Sequence, residues 1–179
     1  MAFLSLEHLR QRPLILGKGG FGRQLADWLA EDGWGTAEFL DDNAPGCAGK
    51  LRDYADPALL RPGRPAFVAL GDNALRVELL QKLLAAGYKT PVYISSLAAV
   101  SPSAVLEPGC VVLPQAYVGA GTHLGAGCIV NGGAIVDHDA VLGRGAHVAP
   151  GGIVKAGAEV ASLAKVDSGE VIRSPWEQA

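Results

Sequence analysis

Three histidines fall in the second half of the chain, and one of them, His138, stands between two acids in Asp137-His138-Asp139. An imidazole takes up and returns a proton near neutral pH. A carboxylate on its second nitrogen fixes the tautomer and stabilises the charged ring. The triplet therefore suits general-base chemistry; the plain alternative is a solvated histidine among acids. Asn131 and His147 lie on either side of it. The Asn131 amide suits the orientation of a nucleophile or a water, or simply a turn. His147 is either a site residue or a histidine at the edge of the core.

A second constellation opens the chain. Gly17-Lys18-Gly19-Gly20-Phe21-Gly22 follows the apolar run Leu14-Ile15-Leu16 and precedes a helical pattern. Backbone N–H groups in such a loop can approach a diphosphate, and the helix N-terminus favours the negative charge. Asp41 lies 19 residues past Gly22, where a ribose-binding acid is expected, with Asp42 beside it. Lys18 and Arg23 are candidates for phosphate neutralisation. Three readings are open at this point: one nucleotide, most simply a nucleoside-diphosphate sugar; a dinucleotide, which would make the protein an oxidoreductase; or a structural glycine turn. The α/β pattern ends near residue 97 with no second nucleotide-binding half, which favours the single nucleotide.

The elements that position these residues divide into two kinds. Up to about Leu97 the sequence alternates strands and helices. Strands are predicted at 14–16, 36–40, 67–70 and 92–94. Helices are predicted over 23–30 and from Asp72-Asn73 to about Ala86, the second with Leu75, Leu79, Leu80, Leu83 and Leu84 as its apolar stripe. The segment from Asn43 to Pro65 holds four prolines and reads as loop with at most one short helix. Such alternation predicts a small Rossmann-like parallel sheet.

From Val100 the period becomes six. Residues 100–177 make 13 hexads, and every first position is Val, Leu or Ile. Of 22 such residues in the stretch, 13 fill the first slot and seven the sixth. The fifth slot is small, as at Ala116, Cys128 and Ala146, and glycine crowds the second and fourth. Period six fits neither a helix nor a simple strand, but it fits a β-helix of hexapeptides, one strand and one corner per hexad. First-slot aliphatics then point inward, and His138, in a third slot, points outward. Cys110 and Cys128 stack as small buried hydrophobes. His123 falls on the face of His138 one coil earlier, as an interfacial residue.

These strings make the chain resemble the sugar O- and N-acyltransferases related to sialic-acid O-acetyltransferase and to the bacterial UDP-4-amino-sugar acetyltransferase of protein glycosylation. The likeness spans roughly residues 13–160. It is carried by the Gly17–Arg23 string, Phe39-Leu40-Asp41-Asp42, Leu70-Gly71-Asp72-Asn73 with Arg76, and the run from Ile129-Val130-Asn131 through Val136-Asp137-His138-Asp139 to His147-Val148-Ala149-Pro150. The resemblance implies a nucleotide-sugar-binding domain over 1–97 and a left-handed parallel β-helix over 98–179 that trimerises and takes acetyl-CoA between subunits. It implies His138 as catalytic base with Asp139 as its carboxylate. Gly17, Lys18, Gly19, Gly20, Gly22, Asp41, Asp42, Asp72, Asn73 and Asn131 are then expected to contact the substrate, and His147 and Ala156 the acetyl-CoA.

Two departures qualify the likeness. Phe21 stands where active relatives often carry a histidine near the sugar. The hexads blur after Val160, at Leu163, Glu170 and Trp176, which predicts a shortened helix. A nucleotide-sugar-binding trimer without a CoA groove is therefore the competing reading.

Composition bounds the rest. Charged residues are 18% and the hydrophobic set 49%, against disorder. The net charge of −3 with no basic run argues against a nucleic-acid partner. Three scattered cysteines make neither a disulfide framework nor a zinc site, so no metal is expected. Met1 to Arg12 lacks the apolar core of a signal peptide, and no apolar run is long enough to span a bilayer. A cytoplasmic protein is the expectation.

Overall fold

The computed structural model describes residues 12–59 and 63–177. The chain forms two compact units that divide between Pro91 and Val92. Nearly all of the Met1–Arg12 segment, together with Pro62, lies outside the described residues.

In the first unit, β1 (Leu14–Leu16) is the centre of a three-stranded parallel sheet, with β2 (Glu38–Leu40) on one side and β3 (Ala66–Val68) on the other. Ile15 lies opposite both Phe39 and Phe67. All three residues of β1 are buried apolar, as a central parallel strand requires. Helix α1 (Gly20–Glu31) buries Gly22, Leu25 and Leu29 along one side. It begins three residues before the predicted Arg23, because the last glycines of the loop form its first turn. A Cβ on Gly22 would stand 1.9 Å from the Gly17 carbonyl oxygen, so only glycine lets the helix approach the loop this closely. The predicted short helix is a 3-10 turn at Leu51–Ala55.

Helix α2 (Asn73–Ala85) starts at Asp72, whose carboxylate accepts the Leu75 N–H at 3.0 Å. It buries Val77, Leu79, Leu80 and Leu83. Leu84 does not belong to the stripe as predicted: it sits one residue, about 100°, past Leu83 and is largely exposed. Arg76 is buried in its place. Its guanidinium donates to the Leu70 carbonyl at 2.9 Å and to Asn73 Oδ1 at 2.7 Å. A buried cation needs such partners.

The second unit is a parallel solenoid of two-residue strands, three to a coil. The strands form sheets of five, five and four members. Partners lie eighteen residues apart: Ile129–Val130 pairs with Val111–Val112 on one side and with His147–Val148 on the other. The core is the expected stack of first-slot aliphatics and small fifth-slot residues, from Cys110 and Val112 to Val160 and Val166. Neither cysteine of the stack forms a disulfide, and both are buried.

Two expectations are corrected here. The fourth strand of the α/β sheet does not exist: Tyr93–Ile94 pairs with Val111–Val112 and opens the solenoid. Ile94 lies six residues before Val100, so the hexad register runs back past the predicted boundary. At the other end the pattern does not blur at Val160. Lys165–Val166 and Val171–Ile172 continue the ladders, because Leu163 takes the same left-handed backbone (φ 63°) as the glycines in equivalent positions.

Candidate active site

His138 occupies the corner that follows the strand Ile135–Val136. Val136 and Ala140 point into the core, which leaves Asp137, His138 and Asp139 to project. The imidazole is 55% exposed, and its Nδ1 lies 2.8 Å from Asp139 Oδ2. With the Nδ1 proton donated to the carboxylate, Nε2 carries the lone pair of a base. Asp139, hydrogen-bonded to the ring, raises the imidazole pKa above its usual value, and the charge of Asp137 adds to the effect. Asp137 itself accepts the His138 backbone N–H at 2.7 Å.

Asp139 holds a left-handed backbone, φ 58°. From Gly109 to Gly169 every fourth-slot residue does so; eight of these are glycine, and the others are Gln115, Asp139 and Leu163. Aspartate tolerates this region better than most L-residues but less well than glycine. It stands at the one corner that carries a histidine, within hydrogen-bond reach of the imidazole. On the coil before, a Cβ at Gly119 would stand 2.5 Å from the His138 backbone nitrogen, so that glycine lets the His138 corner pack close.

Asn131 opens the preceding corner and is buried. Its Oδ1 accepts the Gly132 N–H at 2.8 Å, a turn contact, while Nδ2 lies 3.4 Å from His147 Nε2. The fold thus joins His138 with Asp139 and Asn131 with His147, but it sets the two pairs at opposite ends of Ile135–Val136. Ala156 stacks one coil from His138; the adjacent Gly157 N–H donates to the His138 carbonyl at 3.0 Å. His123 lies beside Val141 on the next sheet, with Nε2 3.1 Å from Glu107 Oε1.

In the α/β unit the glycine loop is anchored at one end and open at the other. Gly17 N–H donates to the Leu40 carbonyl at 2.8 Å, and Lys18 N–H to Asp41 Oδ2 at 2.7 Å. At Gly19 and Gly20 an added Cβ would meet nothing within 4 Å. Asp41 Oδ1 accepts the N–H groups of Asn43 and Ala44, each at 2.8 Å. These backbone donors, Lys18 first, hold the Asp41 carboxyl below the usual carboxylate range. The acid expected to meet a ribose therefore fastens the glycine loop to the turn after β2.

The other charges of this region also have partners. Lys18 Nζ donates to the Pro45 carbonyl at 2.7 Å, and Arg23 Nη1 to the Lys18 carbonyl at 3.1 Å. Asp72 caps α2 and Asn73 holds Arg76, as described above. Of the residues expected to bind substrate, Asp42 alone lines the groove of about 550 Å³ between the 3-10 turn and α2. Lys50, Arg52, Tyr54 and Lys82 line it too. Nothing in the sequence singled them out, since α2 brings Lys82 to the groove from a distant segment. Among the described residues, no group of three or more His, Cys, Asp or Glu is arranged for a metal ion, and no helix is long and apolar enough to cross a membrane.

Residues 14–83 match the family model of the PglD N-terminal domain. No curated protein matches the chain significantly. Among solved structures, the acetyltransferase domain of PglB from Neisseria gonorrhoeae, in complex with acetyl coenzyme A, is 33% identical with a TM-score of 0.83. That alignment covers 92% of this chain and 83% of the other. The chain belongs to the hexapeptide-repeat sugar acetyltransferases. A second structure of the same PglB domain is 30% identical, TM-score 0.80, with 92% of each chain covered. A mutant perosamine N-acetyltransferase from Caulobacter crescentus, in complex with CoA and GDP-perosamine, is 26% identical with a TM-score of 0.81, over 87% of this chain and 77% of that one. The enzyme is an acetyltransferase, and its solenoid is the left-handed β-helix of that fold.

Proposed function

We propose that the enzyme transfers the acetyl group of acetyl-CoA to the amino group of a nucleotide-linked sugar, with His138 as general base. The observation that carries the reading is the exposed His138–Asp139 pair, held at 2.8 Å by an aspartate in a glycine's conformation. Solved relatives support the two ligands: one holds acetyl coenzyme A, another CoA with GDP-perosamine. The sugar amine attacks the thioester carbonyl carbon as His138 Nε2 takes its proton. The carbon–sulfur bond then breaks, the thiolate takes the proton from the imidazolium, and an amide and CoA leave. Backbone N–H groups of a neighbouring coil are the donors for the oxyanion in this scheme. For the nucleoside diphosphate, the open Gly19–Gly20 end of the loop and the cations Lys50, Arg52 and Lys82 supply suitable chemistry.

The assembly in this proposal is a homotrimer in the cytoplasm. Tyr117, Ile135, Ile153 and Val171 stack at eighteen-residue spacing on the outward side of one sheet, and three of the four are largely exposed. A soluble chain rarely leaves such a column bare. His138–Asp139 and Asn131–His147 stand at the two edges of that face. Packing the face around a threefold axis would bring His138 of one protomer toward Asn131 and His147 of the next. All three cysteines are free thiols, which suits a reducing compartment.

The reading is tested by following thiol release from acetyl-CoA with UDP-, GDP- and dTDP-linked amino sugars. Turnover is expected with at least one of them and not with its hydroxyl counterpart. Thiol release with none would remove the proposal. The pH profile adds a second check. Turnover needs the neutral base, so it rises with pH through the His138 pKa, which Asp139 holds above the ordinary imidazole value. Asp139→Asn is expected to move that rising limb to lower pH, with a larger loss of rate at high pH than at the parent's midpoint, where more of the variant's base is already neutral.

A further inference from the structure

The tail of the solenoid returns to the coil beside the base. Ser174 Oγ donates to the Ala156 carbonyl at 2.8 Å, and Lys155 Nζ lies 2.8 Å from both carboxylate oxygens of Glu177. Between these two anchors, in the 3-10 turn Pro175–Glu177, the Trp176 indole is seated on Gly157. A Cβ at Gly157 would stand 2.6 Å from its Cη2 and Cζ3, so the seat exists only because that residue is glycine. The indole is nonetheless 61% exposed. Gly157 is the residue whose N–H meets the His138 carbonyl, so Gly157 lies one coil, about 4.8 Å, beyond the corner that carries the base, and the indole rests on its far side.

The other flank of His138 is taken. Asp139 Oδ1 lies over Gly121, 2.4 Å from where a Cβ of that glycine would be, so the carboxylate fills the coil on that side. Small residues, Ala156 and Gly157, leave the opposite side of the corner open down to the indole. A thioester carbon brought to the base there has its chain leading away over Ala156 and Gly157, and the first broad apolar surface it meets is the indole face. An exposed indole anchored on both sides offers a flat contact to a thin, mostly apolar chain at little entropic cost.

We propose that Trp176 is a binding residue for the acyl donor, its indole packing against the pantetheine arm as it leads away from the thioester. This rests on the acetyltransferase reading above. The purine of the donor is separated from the thioester by the whole arm and does not reach this seat.

The test titrates CoA and 3′,5′-ADP into the full-length parent, W176A and W176F, by calorimetry and by indole fluorescence. Parent fluorescence is expected to change on CoA binding, and that change is expected to vanish in W176F, which keeps Trp28 and Trp34. W176A is expected to weaken CoA about tenfold or more and W176F by less, with 3′,5′-ADP affinity unchanged in both. The KM for acetyl-CoA is expected to rise in W176A while kcat at saturating donor stays within about twofold. Equal CoA affinity in parent and W176A overturns the proposal. An equal loss for 3′,5′-ADP overturns it as well, by placing the indole under the purine or showing that the site as a whole has collapsed. If the parent binds no CoA, the acetyltransferase reading fails and this proposal goes with it; if the parent binds CoA and only the Trp176 effect is missing, the acetyltransferase reading stands.

Discussion

Replacing His138 with alanine is expected to lower turnover by about 10²–10⁴-fold, the usual loss when a positioned base is removed. The side chain projects from a corner and supports no core packing, so the melting temperature and the assembly are expected to stay near those of the parent. The residual rate should no longer show the rising limb set by the imidazole. Near-full turnover in this variant would show that the proton leaves by another route and would take His138 out of the mechanism. Asp139→Asn should lie between parent and His138→Ala, because it disturbs the tautomer and the pKa of the base and leaves the base in place.

A comparable loss is expected from a residue that touches no substrate. Ile135 lies near the middle of the exposed apolar column, between Tyr117 and Ile153. In the proposed trimer, glutamate there would place a carboxylate from each protomer against the same threefold seam, with no counter-charge in the column. Burying an unpaired charge costs several kcal/mol per ion, and three copies repel one another. Ile135→Glu is expected to sediment as a monomer with an intact circular dichroism spectrum. Its turnover should fall by about 10³-fold or more, since in the proposed assembly His138 would have lost the Asn131 and His147 that the next protomer brings to it. A trimer with parent activity would show that the face is not the seam. A monomer with parent activity would show that one chain holds a complete site.

The solenoid was legible because its period is written into the covalent chain. Thirteen first-slot aliphatics at intervals of six specify the inward face, and the eighteen-residue pairing follows from three hexads to a coil. The pairing of His138 with Asp139 is likewise local, one residue apart, and needs only the corner to form. What the sequence did not show depends on contacts between distant segments. Asp41 had the right spacing for a ribose, but its carboxylate is satisfied by backbone N–H groups that appear only when the loop after β2 folds beneath the glycine loop. The strand Tyr93–Ile94 is two residues long, too short to declare which sheet it joins. Trp176 broke the slot pattern and read as decay of the repeat; in the fold it is the residue that requires Gly157. Asn131 and His147 lie sixteen residues apart, and only the coil pitch brings them to 3.4 Å.

Pairing at eighteen residues makes the solenoid a ratchet with three teeth per turn. Loss or gain of a single hexad rotates everything after it by one face, so His147 would turn from its own sheet to a neighbouring one and the Ser174–Glu177 strap would close over a different corner. Only changes of a full coil leave each face in line with itself. Length in this unit can therefore change in steps of eighteen residues outside the site, while within the stretch from Asn131 to Gly157 even a whole added turn would part Asn131 from His147, or His138 from Gly157, by a further coil.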